Sequence, residues 1–196
     1  MTMIRIRRAG LSAAGLVLAL AACGDSTVNP GGETELITRV TLTLTRAGGA
    51  AQTVFIEDTD GNGPGAPSAQ NGTLLLERGV NYTGTILFEN RLANPVENIT
   101  TEVIAEANEH RVFYSSTGGL TVTPSDADGS GRPLGVATTA TSAGTATTGT
   151  FPLRVVLCHY DGVPKPATAT SCSAETDIDV SFTYSLQSGN NVVASN

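Results

Sequence analysis

Hydrophobic and polar residues alternate with period two through most of the chain beyond residue 38. Val40, Leu42 and Leu44 interleave with Thr41, Thr43 and Thr45, the pattern of a strand buried on one face. Gln52 to Glu57 reads as a second short strand, and Thr73 to Glu77, with its Leu74-Leu75-Leu76 run, as a third. Tyr82 to Glu89 alternates again, with Tyr82, Ile86 and Phe88 on one side. Only Val96 to Glu109 has helical spacing: Val96, Ile99, Val103 and Ala107 make one narrow apolar stripe of about three turns, with Asn98, Thr100 or Thr101 as candidate caps.

Arg111 to Ser115 and Leu120 to Thr123 return to strand character, and a Thr/Ala/Gly-rich stretch follows from Gly135 to Thr150. Phe151 to Tyr160 is a strand interrupted by Pro152, which marks an edge or a bulge. The last strand is the clearest. Ile178, Val180, Phe182, Tyr184 and Leu186 point one way, with Asp177, Asp179, Ser181, Thr183 and Ser185 on the opposite, polar face. Short strands about every ten residues, separated by Gly-rich turns, predict an all-β fold: an antiparallel β-sandwich with one short crossing helix, spanning 36–190. No β-α-β alternation occurs, which argues against a parallel-sheet binding protein.

Residues 1–22 break the pattern. Arg5, Arg7 and Arg8 precede a small apolar run from Ala9 to Ala22 that is too short for a stable span, the layout of a secretory signal. The run ends in Leu20-Ala21-Ala22-Cys23, which is similar to the bacterial lipobox, in which the Cys is acylated and becomes the new N-terminus. Each buried methylene of an acyl chain contributes about 0.8 kcal/mol, so more than one chain holds a protein at a membrane. Asp at the position after Cys23 would favour the inner membrane; Gly24 stands there and Asp25 follows, so the reading is outer membrane. Residues 23–35, with Pro30, Gly31 and Gly32, form a flexible tether.

The whole chain carries a formal charge of −7, and cleavage after Ala22 removes three Arg and no acid, which makes −10. Such a balance argues against a nucleic-acid partner, because phosphate binding needs clustered cations. With Cys23 taken by lipid, Cys158 and Cys172 remain as a pair in an oxidising compartment and are expected to form a disulfide.

Three constellations bear on chemistry. Asp58-Thr59-Asp60-Gly61-Asn62-Gly63 and Asp126-Ala127-Asp128-Gly129-Ser130-Gly131 place oxygens at alternate positions before a Gly, as calcium loops do, with Asp58, Asp60, Asn62, Asp126 and Asp128 as the candidate ligands. The twelfth positions are Ala69 and Ala137, so neither is an EF-hand, and the same residues make ordinary acidic turns. In the helical segment, Glu102, Glu106 and His110 rise along one side, with Glu109 beside them. A helix packed over Val155-Val156-Leu157 would bring His110 to His159 and make Glu106, Glu109, His110 and His159 a candidate zinc site. The plain alternative is a solvated helix face with a boundary histidine. No GxSxG, HExxH or CxxC occurs, and Asp177 with Asp179 reads as an exposed polar face, so no catalytic residues are assigned.

Pro95-Val96-Glu97-Asn98-Ile99-Thr100 through Glu109-His110-Arg111-Val112-Phe113-Tyr114, the Asp126-to-Gly135 loop and Glu175-Thr176-Asp177-Ile178-Asp179-Val180 resemble a family of small, uncharacterised lipoproteins of Gram-negative bacteria. Members are sometimes labelled as having a type 1 periplasmic-binding fold, a longer fold that alternates helix with strand and does not match this pattern. Thr101, Ile104 and Ala105 stand where family members tend to be acidic, which weakens a polyacidic metal site. The resemblance implies no activity. The expected role is a non-catalytic binding or structural accessory at the outer membrane, with a receptor there as a conceivable partner. The alternatives are a calcium-stabilised adhesion or glycan-contact module and, last, a hydrolase.

Overall fold

A computed structural model describes residues 35–61 and 70–189. Among the described residues, nine strands and one helix follow in the order β1 Arg39–Arg46, β2 Gln52–Glu57, β3 Leu74–Glu77, β4 Asn81–Glu89, α1 Ile99–Ala105, β5 His110–Ser116, β6 Leu120–Pro124, β7 Ala137–Ser142, β8 Gly149–His159 and β9 Glu175–Gln187. The strands form two sheets, β2-β1-β4-β7-β6 and β3-β9-β8-β5. Every pairing is antiparallel except β3 with β9. This is the expected sandwich.

The alternating residues build its core. Val40, Leu42 and Leu44 of β1 and Tyr82, Ile86 and Phe88 of β4 face Val112, Leu153, Val155, Leu157, Phe182, Tyr184 and Leu186 of the second sheet in one continuous cluster. Burying an aliphatic or aromatic side chain of this size contributes about 1.5–3 kcal/mol, which is why the period-two pattern dominates the outcome. Gly84 interrupts β4 where a side chain has no room: a Cβ there would lie 2.4 Å from Thr138 Oγ1 and 2.8 Å from Leu44 Cδ2.

Helix α1 carries the chain from β4 of the first sheet to β5 of the second, and is half the length its spacing predicts. Its first turn is docked rather than capped. Phe88 N donates to Thr100 Oγ1 at 2.7 Å, Thr100 Oγ1 donates to Phe88 O at 3.3 Å, and the Asn98 side chain makes no cap bond. The helix stops at Ala105 because the chain beyond it is claimed by β8: Tyr160 N donates to Glu109 O at 2.8 Å, and His110 pairs with His159. Ladder pairing outweighs a weak helical preference over so short a stretch.

Pro152 lies in an interior strand. Beside it the β5 ladder has already ended at Leu153, so the residue without an N–H borders only β9, through Thr183. The irregularity of β8–β9 falls elsewhere. Leu157 pairs with Ile178 and Cys158 with Thr176, which leaves Asp177 as the extra residue of a β-bulge.

Candidate metal centre

His110 opens β5 and His159 closes β8. They are direct cross-strand partners, two and two residues beyond the inward-facing Val112–Leu157 pair, so both rings turn inward at the end of the second sheet. The rings stack with centroids 4.2 Å apart and planes inclined by 26°. The two histidines thus meet, as the sequence indicates, but as neighbours in one sheet; no helix presents His110.

Two carboxylates complete the group. Glu35, at the end of the segment read as tether, reaches in from ahead of β1: its Oε1 lies 3.2 Å from His110 Nε2 and its Oε2 lies 3.9 Å from His159 Nδ1. Asp177 enters from the bulge of β9, its Oδ2 3.9 Å from His110 Nε2. Here the structure corrects the reading of Asp177 and Asp179 as one exposed face. The bulge turns Asp177 inward with no side-chain exposure, while Asp179 stays outside in a bidentate pair with Arg154 at 2.7 and 2.6 Å. A bulge commonly re-aims a side chain in this way.

One ligand atom from each of Glu35, His110, His159 and Asp177 lies within 4.8 Å of all the others. Glu35 Oε2, His110 Nε2, His159 Nδ1 and both oxygens of Asp177 are buried without a hydrogen-bond partner among the described residues. Buried polar atoms without hydrogen bonds cost free energy, which the ion-pair contacts at 3.2 and 3.9 Å offset only in part. The electrostatics agree. Burial, then the charge of Glu35, push the Asp177 carboxyl up to about 7. Burial works against protonation of His110, but the Glu35 carboxylate beside it overrides this and raises its pKa above the ordinary value. Burial resists ionisation of Glu35, and His110 overrides that in turn and holds its pKa below the usual range. With imidazoles neutral and carboxylates ionised the group carries two negative charges, which a dication cancels. Two imidazoles and two carboxylates suit zinc and its neighbours, and bond lengths near 2.0–2.1 Å place tetrahedral donors about 3.3 Å apart. The 3.9 Å contacts exceed this by about 0.6 Å and the widest separation, within 4.8 Å, by up to about 1.5 Å, and the stacked rings must turn for both nitrogen lone pairs to meet one ion. The group can hold a metal ion.

The other expected ligands go elsewhere. Glu106 lies in the turn after α1, more than half exposed, with Oε2 3.9 Å from His110 Nδ1 and its carbonyl 3.4 Å from the same nitrogen. It stands outside the buried set because the helix that was to carry it ends one residue earlier. Glu109 joins His159 and Asp161 in a second, more open group, yet its carboxylate already braces the neighbouring loop: Oε2 accepts from Gly162 N at 2.7 Å and Oε1 from Asn108 Nδ2 at 3.1 Å. The sequence hides Glu35 and Asp177 for opposite reasons. Glu35 sits in a polar run that resembles a linker, and no alternation rule foresees a bulge at Asp177.

The two DxDG loops turn their carboxylates on their own backbones. Asp58 Oδ1 accepts from Asp60 N at 3.3 Å and Gly61 N at 3.1 Å, the self-bonding of an Asx turn; Asn62 lies outside the described residues. Asp126 accepts from Gly135 N at 2.6 Å and Ala137 N at 2.8 Å, and Asp128 Oδ1 from Ser130 N at 2.8 Å and Arg132 N at 2.9 Å. A cation does stand at Asp128, but it is the buried ammonium of Lys165, 3.5 Å from Oδ2, which also donates to His110 O at 3.0 Å and to Ala107 O. Burial disfavours the charge of Asp128, but the Arg132 and Ser130 amides and Lys165 bring its pKa below the ordinary carboxylate value. Burial lowers the pKa of Lys165 in the same contact.

Cys158 and Cys172 form the expected disulfide, 14 residues apart in sequence. It ties β8, one residue before His159, to the loop that leads into the bulged strand. Cys23 lies outside the described residues. No protein-family model, curated protein or solved structure matches this chain.

Proposed function

We propose that this chain is an exported, lipid-anchored accessory protein of the outer membrane whose β-sandwich binds a transition-metal ion, zinc in the first instance, through Glu35, His110, His159 and Asp177. One observation carries the metal: four side chains, Glu35, His110, His159 and Asp177, each bring a ligand atom into one buried space, with ion-pair contacts between them but no hydrogen bond to five of their nitrogen and oxygen atoms among the described residues. Polar atoms buried at such cost call for a partner, and the donor chemistry calls for a metal. Four protein donors, none with a side chain more than 9% exposed, leave no evident position for substrate. This favours a structural or storage role over catalysis.

Export and anchoring are supported by the agreement in order and spacing of Arg5, Arg7 and Arg8, the apolar run and the Leu20-Ala21-Ala22-Cys23 tetrapeptide. The disulfide is consistent with an oxidising compartment. The calcium-module reading has less support, because Asp58, Asp126 and Asp128 are engaged by backbone amides and Asp128 also by Lys165.

Calorimetric titration with zinc tests the metal reading. The expected result is one site with micromolar or better affinity in the wild type and none in His110→Ala, with circular dichroism unchanged. Equal zinc uptake by the folded variant removes the proposal.

A further inference from the structure

We propose that the metal ion works as a clasp: it docks the lead-in to β1, through Glu35, onto the second sheet. This rests on the metal reading above and adds a regulated consequence to it.

The four donors do not belong to one scaffold. His110, His159 and Asp177 come from β5, β8 and β9, neighbouring strands of one sheet, and ladder pairing holds them together whether or not an ion is bound. Glu35 comes from ahead of β1, in the other sheet. The backbone of that segment joins its sheet at Thr38, whose N donates to Glu89 O at 2.9 Å, and the β1 ladder begins at Arg39. Ile37, next to Thr38, is buried in the core, and Leu36, between Ile37 and Glu35, is 45% exposed, so the segment free to move is Glu35 and Leu36. The contacts that carry Glu35 across to the second sheet run through its carboxylate, to His110 and His159.

Such a segment is poised between two states. Without an ion, Glu35 is held at the second sheet by its contacts to His110 at 3.2 Å and His159 at 3.9 Å, in a space it shares with the Asp177 carboxyl. With an ion, the docked state offers four donors and the undocked state three, and a ligand shifts a conformational equilibrium by that difference in affinity. Occupancy therefore selects the docked lead-in.

The Glu35–Leu36 bond supplies the readout, because a glutamate-specific protease must seat the free Glu35 side chain in its pocket. The full chain, purified in detergent, is digested with zinc or with chelator, and zinc binding is measured on the same sample. The expected result is that zinc slows cleavage at Glu35–Leu36 at least tenfold, leaves cleavage after the exposed Glu97 unchanged, and loses this protection in His110→Ala, with His159→Gln as the second variant. Tight zinc binding with unaltered cleavage at Glu35–Leu36 overturns the clasp and leaves the metal site standing. No zinc binding overturns both.

Discussion

Asp177 Oδ2 stands 3.9 Å from His110 Nε2 because β9 holds one residue more than β8 at that level. Without the bulge Asp177 would continue the outward face of Asp179 and Ser181, and the two histidines would face a single carboxylate. Asp177→Asn keeps the shape and removes one donor charge. We expect zinc affinity to fall by more than the about 10–100-fold typical of a change outside the ligand shell. We also expect the metal-free protein at pH 8 to become more stable, since an uncompensated buried charge has gone. Zinc titration and melting in chelator measure the two effects, and a drop in metal-free stability would contradict the second.

The pH dependence has opposite signs with and without metal. In the metal-free protein Asp177 has a folded pKa of about 7, above its ordinary value of 3.8. Its contribution to stability is therefore fully present below the unfolded value and is lost as pH rises through about 7, since the native state binds the extra proton. Zinc must displace that proton, so zinc affinity rises over the same range, by about tenfold per pH unit for each proton released. Melting and titration between pH 5.5 and 8 check both slopes, and zinc affinity independent of pH would refute the assignment of Asp177.

These two residues also show what the sequence conceals. The strands themselves are legible: Val40 to Leu44 and Ile178 to Leu186 alternate cleanly because each buries one face, and the structure places them as read. The meeting of His110 with His159 is legible as a pair but not in its cause, since a register of β5 on β8 brings it about where a helix face is expected. Asp177 obeys the alternation rule and is moved off it by one inserted residue. Glu35 lies in Glu33-Thr34-Glu35, next to a Pro-Gly-Gly stretch, and nothing local separates it from a linker. Long-range placement of single polar residues leaves little trace in periodicity.

Lys165 is buried with its ammonium between Asp128 and the carbonyls of Ala107 and His110. Lys165→Met removes the cation but leaves Asp128 and two carbonyls in place. Breaking a buried pair from one side typically costs about 3–5 kcal/mol, and that range is the expected loss in denaturant unfolding. A loss below about 1 kcal/mol would show that the contact does little. Millimolar calcium is expected to leave the melting temperature of the wild type unchanged, because the Asp126–Asp128 loop is satisfied from within.

The Cys158–Cys172 bond closes a loop of 14 residues in sequence separation, worth about 3 kcal/mol in the chain-entropy treatment. For a chain of this size the Cys158→Ala/Cys172→Ala variant is expected to melt about 6–12 °C lower. Zinc affinity should fall with it, since the bond braces His159 and the approach to the bulge. Undiminished affinity in the reduced, folded protein would separate the disulfide from the site.

Elemental analysis of the native chain, exported and purified without tag or chelator, addresses the central claim most directly. The account predicts one zinc per chain in the wild type and none above background in His110→Ala. A wild-type protein that carries no transition metal and takes none up when zinc is supplied would contradict it.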